Sequence, residues 1–400
     1  MIKFDSHETS RRVALQGAEL ASFTRRAGAF FLDLAIALLF SCSTEGHPEI
    51  ANGVILCQDL FNVSMRPGVS CYRIPSLITA PNGDLVAAID ERVESCRDMN
   101  PNKDINIVMR RSPDDGVTWS ALETVVDYPL GISASDPSMI VDRMTGKIFL
   151  FYNYMDHTKE SGVYYLHVMH SSDNGRTWSE SRDITSLITK PEWHADFKFI
   201  TSGRGIQTSE GTLLHTLVNL HHGTHLFGSD DHGSNWYLLD TALEPADESI
   251  VVELVDGTWM VNSRYNNSGM RYLHTSRDKG RTWTSAPEPA LIDPGCNGSI
   301  IRYTSIADGY KKNRLLFANA KTADQRTNMT VRISYDEGRT WSTGKTIYPG
   351  SSAYSSLTIL DNGEIGLLFE KDDYSQNLFV RFSLEWLTDG QDHNESVVID

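Results

Sequence analysis

The side chains able to do chemistry in this chain of 400 residues are cysteines, histidines and, above all, arginines set among carboxylates and tyrosines. The five cysteines, Cys42, Cys57, Cys71, Cys96 and Cys296, form an odd set without a Cys-x-x-Cys pair, which argues against both a zinc site and a disulfide framework. Cys57, Cys71, Cys96 and Cys296 read as small buried apolar residues. His221, His222 and His225 cluster in sequence but lack an acid at catalytic spacing, so they read as solvated loop histidines and no metal is expected. Arginine offers more. The formal charge of −16 excludes nucleic acid as a partner, because a polyanion needs a basic footprint to displace its counterions. A small anion remains possible if a few arginines gather against the mean field of the protein. A guanidinium fork stays charged at any working pH and grips a carboxylate through two parallel hydrogen bonds, which a lysine cannot do.

Such a cluster has to be positioned by a scaffold, and the sequence supplies one by repetition. The pattern Ser-x-Asp-x-Gly-x-Thr-Trp starts at Ser112, Ser171, Ser276 and Ser334, and a fifth copy at Ser229 replaces only the threonine, with Asn235. These are Asp-boxes, tight hairpin turns in which Asp accepts backbone N–H bonds, Gly takes a positive φ and Trp packs beneath. Most copies recur at an interval that fits one four-stranded blade. Between them, runs such as Lys147-Ile-Phe-Leu-Phe-Tyr-Asn, Gly257-Thr-Trp-Met-Val-Asn-Ser-Arg and Glu364-Ile-Gly-Leu-Leu-Phe-Glu read as short strands. Asn82-Gly83, Asp256-Gly257 and Asn362-Gly363 mark hairpins, and no long helical period intervenes. The expectation is an all-β fold, a six-bladed β-propeller over residues 46–400, closed by an end strand.

With the repeat in place, Tyr72-Arg73-Ile74-Pro75, upstream of the first box, resembles the Phe/Tyr-Arg-Ile-Pro motif of bacterial and animal sialidases. The resemblance covers essentially the whole chain after its first 45 residues. It implies an exo-sialidase that releases terminal sialic acid from glycans, with Arg73, Arg264 and Arg332 clamping the substrate carboxylate. It also implies Tyr354 as nucleophile, Glu248 as the base that takes the phenol proton, and Asp98 as acid/base. Glu253 competes with Glu248 but reads as part of the following strand, and Asp104 competes with Asp98 but belongs to the strand beginning at Ile105. Arg92 and Asp136 match residues that line the pocket near O4 and the N-acetyl group. Gln207 is expected to face the pocket, and Glu370 matches an acid that orients the first arginine. A phenol suits this substrate: sialic acid carries a carboxylate on its anomeric carbon, and an anionic nucleophile would approach against like charge. Tyrosine-using sialidases depart from the two-carboxylate rule of retaining glycosidases. The implied chemistry requires neither metal nor organic cofactor, and the partners are sialylated glycans.

Two rivals share these residues. A trans-sialidase would pass the sugar to another hydroxyl, of an acceptor or of the sialic acid itself. A non-catalytic glycan-binding propeller would keep the arginines but need none of Tyr354, Glu248 and Asp98. Residues 1–45 read as a leader: Arg25-Arg26, an apolar run from Ala29 to Phe40, and Leu39-Phe40-Ser41-Cys42, which resembles a bacterial lipobox. Asp33 interrupts the run, which is too short to span a bilayer comfortably, and the residues before Arg25 point to a start codon set too far upstream. The leader implies export to the periplasm or cell surface, with membrane anchoring only through this segment or a lipid on Cys42.

Overall fold

The structure is a computed structural model that describes residues 49–395; the leader, Cys42 included, lies outside them. Strands dominate, and the helices are single turns such as Thr185–Ile188 and Leu384–Leu387. The strands form five antiparallel-based sheets, the largest of seven strands. That sheet is two blades joined by the 15-residue strand Lys345–Ile359. Its first half pairs with Thr327–Ser334 as an outer strand, and from Ser352 onward it pairs with Ile365–Lys371 as an inner strand. Divided there, the five sheets make six blades.

The inner strands neighbour one another in chain order around a ring. Cys71–Thr79 lies against Ile132–Asp142, which pairs parallel with Gly203–Arg204 in the broken first strand of the third blade. The second strand of that blade, Leu213–Asn219, lies against Ser249–Glu253, which lies against Ser299–Thr304; Lys345–Ile359 returns to Cys71–Thr79. The end strand also closes the ring as expected, since Leu56–Asn62 pairs antiparallel with Gln376–Phe382 as the outermost strand of the last blade. Apolar residues on facing sheets fill the space between blades: Ile78, Val86 and Met109 of one pack against Met139, Ile148 and Leu150 of the next. Each such side chain, fully withdrawn from water, contributes about 1.5–3 kcal/mol.

All five Asp-boxes fold as hairpin turns between the third and fourth strands of a blade. Asp114 accepts from the amide and hydroxyl of Thr118, and Ser112 Oγ accepts from the Gly116 amide. Two consecutive residues, not the glycine alone, take the left-handed conformation: Asp115 at φ 58° and Gly116 at 84°. That pair matches the right-handed twist of the flanking strands. Gly116 is required for a second reason, because a Cβ there would stand 2.2 Å from Phe379 of the adjoining blade. The boxes therefore seal neighbouring blades together at one end of the propeller. The other end is left for the side chains at first-strand starts, second-strand ends and third-strand starts.

Candidate active site

At that end the first strands carry bulges. The register between Cys71–Thr79 and Leu85–Arg92 slips between Arg73 and Ser76, where Ile74 sits at φ 64°. A β-branched residue rarely adopts this conformation, so something must hold it. Glu370, at the end of the strand Ile365–Lys371, does so. One carboxylate oxygen accepts from the Ile74 amide at 2.9 Å and from Arg73 Nε at 3.1 Å, and the other accepts from the Tyr354 amide at 3.0 Å. The next blade repeats the device. Asp136 sits at φ 60°, its amide donates to Asp90 at 2.9 Å, and Ser135 Oγ donates to the same carboxylate at 2.6 Å. In each case a buried carboxylate closing a second strand fixes the bulged start of a neighbouring first strand, and so aims its side chains.

Tyr354 lies at the start of the inner half of Lys345–Ile359, and Glu248 immediately precedes Ser249–Glu253. The Tyr354 hydroxyl lies 2.7 and 2.8 Å from the two oxygens of Glu248 and accepts from Arg264 Nη1 at 3.2 Å. Arg264 Nη1 also donates to Glu248 at 2.5 Å, while its Nε donates to Asn266 at 2.7 Å. Burial raises the proton affinity of Glu248, opposed by the Arg264 guanidinium. Burial, and then the Glu248 carboxylate, hold the Tyr354 phenol well above its ordinary value. The pair thus favours a phenol that keeps its proton until attack, beside a carboxylate with strong affinity for it. Glu253 lies at the opposite end of its strand, where it accepts from Ser209.

Two further guanidinium groups face the phenol ring. Arg73 lies 5.6 Å from its centroid and Arg326 5.5 Å. Tyr374 ties the two together: its ring lies 4.0 Å beneath Arg73, and its hydroxyl accepts from Arg326 Nη1 at 3.2 Å. Tyr374 reaches this position from a turn in which Asp372, Asp373 and Tyr374 are all left-handed. Arg332 is not part of the cluster, which corrects the expectation from sequence. It is fully buried within its blade, donates to Asn319 at 2.7 Å, and has an Nε and an Nη2 without a hydrogen-bond partner among the described residues. Burial pushes it down to about 10. Arg332 sits in the middle of Thr327–Ser334, opposite Phe317, and its guanidinium is held inside the blade by Asn319. The third arginine at the phenol is Arg326, which precedes that strand.

Asp98 stands on the loop after Leu85–Arg92, its side chain 77% exposed. It accepts from Arg92 Nη1 at 2.8 Å and from Arg73 Nη1 at 3.4 Å. Partial burial works to raise its proton affinity, but Arg92, Arg73 and Arg326 prevail and hold it below the usual carboxylate range. Arg92 is in turn paired with Asp90 at 3.0 Å. Asp136 accepts from Asn153 at 3.0 Å, and burial followed by the Asp90 charge raises it well above its ordinary value. Beneath the Asp98 loop, Met99, Ile105, Met155 and Tyr164 form a buried apolar cluster with Phe199 packed on it. No motif in the sequence marks Tyr374, this cluster or the role of Asp90.

A family model described as BNR repeat-like domain matches residues 83–367. The chain belongs to this family of BNR-repeat sialidases. It is 36% identical over 399 residues to the sialidase of Micromonospora viridifaciens, covering 91% of this chain and 60% of that protein. To the sialidase of Bacteroides fragilis it is 30% identical over 335 residues, covering 75% of this chain and 60% of that protein. Among solved structures, a Hadza microbial sialidase aligns with a TM-score of 0.72 at 30% identity, covering 79% of this chain and 66% of that one. The chain therefore spans about 60% of the length of the two curated relatives.

Other expectations for this sialidase-family chain are corrected by the geometry. Gln207 does not face the phenol; it donates to Asp142 at 2.6 Å and accepts from the Arg143 amide, at the end of an inner strand on the opposite face. His225 is a buried residue of the strand Gly223–Ser229, bonded to the carbonyls of Leu239 and His222, whereas His221 and His222 are exposed. Among the described residues no cluster of metal-ligating side chains occurs. Cys71 and Cys96 are not two separate apolar residues but a disulfide, with Cα atoms 5.6 Å apart; Cys296 is free and buried. The pairing was hidden because an odd cysteine count says nothing about which members meet in space.

Proposed function

We propose that this chain is an exo-sialidase that cleaves terminal α-linked sialic acid with retention of configuration. The observation that carries the reading is the Tyr354 hydroxyl held by both oxygens of Glu248 and by Arg264, within a ring completed by Arg73 and Arg326. The three guanidinium groups bind the substrate carboxylate. That carboxylate brings a negative charge next to Asp98 and engages the Arg73 charge that had depressed its proton affinity, so Asp98 takes up a proton on binding.

In the first step the phenol oxygen of Tyr354 forms a bond to the anomeric carbon as its proton passes to Glu248. The bond to the leaving oxygen breaks, and that oxygen takes the proton of Asp98. In the second step water attacks the same carbon and gives a proton to Asp98. The tyrosyl bond breaks, and Glu248 returns the proton to the phenolate. Arg92 and Asp136 face the sugar's polar edge. Glu370 fixes Arg73.

Release of a fluorophore from an α-sialoside, compared with neutral hexosides, tests the proposal. Turnover of the sialoside alone is expected, and equal or absent turnover of both would refute it. NMR of the product, with and without a galactoside acceptor, separates hydrolysis from transfer. Export, with anchoring through residues 1–45 or a lipid on Cys42, is proposed from the leader pattern and is tested by fractionating cells that express the full chain.

A further inference from the structure

The loop that carries Asp98 runs between the strands Leu85–Arg92 and Ile105–Ser112. Its carboxylate is solvent-exposed and bonds to two arginine side chains, Arg92 and Arg73. The arginines are buried but the carboxylate itself faces water, so screening weakens these pairs while the ordering cost is borne by the whole segment. The structure gives the loop two stronger anchors, one on either side of Asp98. After it, Met99 is buried against Ile105, Met155 and Tyr164. Before it, Cys96 is joined by its disulfide to Cys71, which lies two positions from Arg73 on the strand Cys71–Thr79. The same residue is tied a second time, its carbonyl accepting from Arg92 Nη1 at 2.9 Å. Arg92 uses that one nitrogen for both the Cys96 carbonyl and Asp98.

We propose that the Cys71–Cys96 disulfide is a positioning element for proton donation: it staples the Asp98 loop to the strand bearing Arg73, and so sets the distance from the acid to the bound sugar. The proposal rests on the assignment of Asp98 as the acid. Opening the bond, by transfer of two electrons and two protons from a dithiol that itself becomes a disulfide, leaves fold and carboxylate clamp intact but loosens the acid. Loss of a well-placed acid matters only where the leaving oxygen needs a proton. A sialyl disaccharide, whose leaving group is a sugar hydroxyl, is therefore sensitive, and a nitrophenyl sialoside, whose leaving group departs as an anion, is not.

The test compares kcat for these two substrates in the wild type, in Cys71→Ala/Cys96→Ser and in Asp98→Asn. The cysteine variant is expected to lose roughly tenfold or more on the disaccharide and less than about threefold on the nitrophenyl substrate. Dithiothreitol should reproduce this split in the wild type and change nothing in the variant. That arm also covers a variant that fails to fold. Equal losses on both substrates, or none, would overturn the proposal. Should Asp98→Asn itself show no such split, the acid assignment falls and the disulfide proposal with it. A split in Asp98→Asn without one in the cysteine variant removes the disulfide proposal alone.

Discussion

Glu248 and Tyr354 lie 106 positions apart in the chain, and their side chains meet through a hydrogen bond of 2.7 Å. A phenol keeps its proton at neutral pH, since its unperturbed pKa is about 10. Here burial and the neighbouring carboxylate strengthen that hold. Tyr354→Phe is therefore expected to abolish sialoside turnover while leaving the melting temperature near that of the wild type. Near-normal rates in this variant would remove tyrosine from the chemistry.

The same pair sets the acid side of the pH profile. Glu248 accepts the phenol proton only when ionised, and its folded-state value is raised from 4.5 by burial. As pH falls through that raised value the competent fraction disappears, so kcat/KM should decline with an apparent pKa above 4.5 that belongs to the coupled pair. Glu248→Gln should lower kcat by about 10²–10⁴-fold and erase this limb. A limb lying below 4.5 would contradict the assignment.

Arg326 and Arg332 make opposite predictions although six residues separate them. Arg326→Lys gives up bidentate binding of a carboxylate, worth about 1.5–3 kcal/mol, and should raise KM about 10- to 100-fold. Arg332→Met removes a buried charge that bonds Asn319 inside the blade rather than the phenol, and should leave KM unchanged, with its effect confined to stability. Kinetics on both variants with one sialoside decide the matter.

Glu370 holds three donors from two blades at once: Arg73, the Ile74 amide and the Tyr354 amide. Glu370→Ala strands the Arg73 charge in a buried setting, and breaking such a pair costs about 3–5 kcal/mol. Chemical denaturation should show that loss, and surviving protein should bind sialoside more weakly. An unchanged midpoint would mean that water replaces the carboxylate without cost.

The fold was legible because each Asp-box is a local device, complete in eight residues, and its recurrence marks five of the six blades. Most of the site followed from motifs that sit at strand ends: Arg73, Arg264, Glu248, Tyr354 and Glu370 all come together in the structure, with Arg92 and Asp98 beside them. Arg332 and Gln207 were misplaced for one shared reason. Antiparallel order brings first-strand starts, second-strand ends and third-strand starts to the phenol. Arg332 lies in the middle of its third strand, opposite Phe317, where its side chain is buried within the blade, and Gln207 ends an inner strand at the opposite face. The same rule would have favoured Arg326. Tyr374 and the Cys71–Cys96 pairing gave no such signal, because each depends on how a loop folds back rather than on a place in the repeat.

The strand Lys345–Ile359 belongs to a blade whose outermost member, Leu56–Asn62, comes from the other extremity of the chain. A nascent polypeptide therefore cannot complete the blade that carries the phenol until the ribosome has passed Phe382. Loss of Leu56–Asn62 or of Gln376–Phe382 would expose unpaired backbone along that seam. Truncated products should for this reason be inert toward glycans and prone to associate, so any chemistry at Tyr354 begins only once synthesis of the propeller is complete.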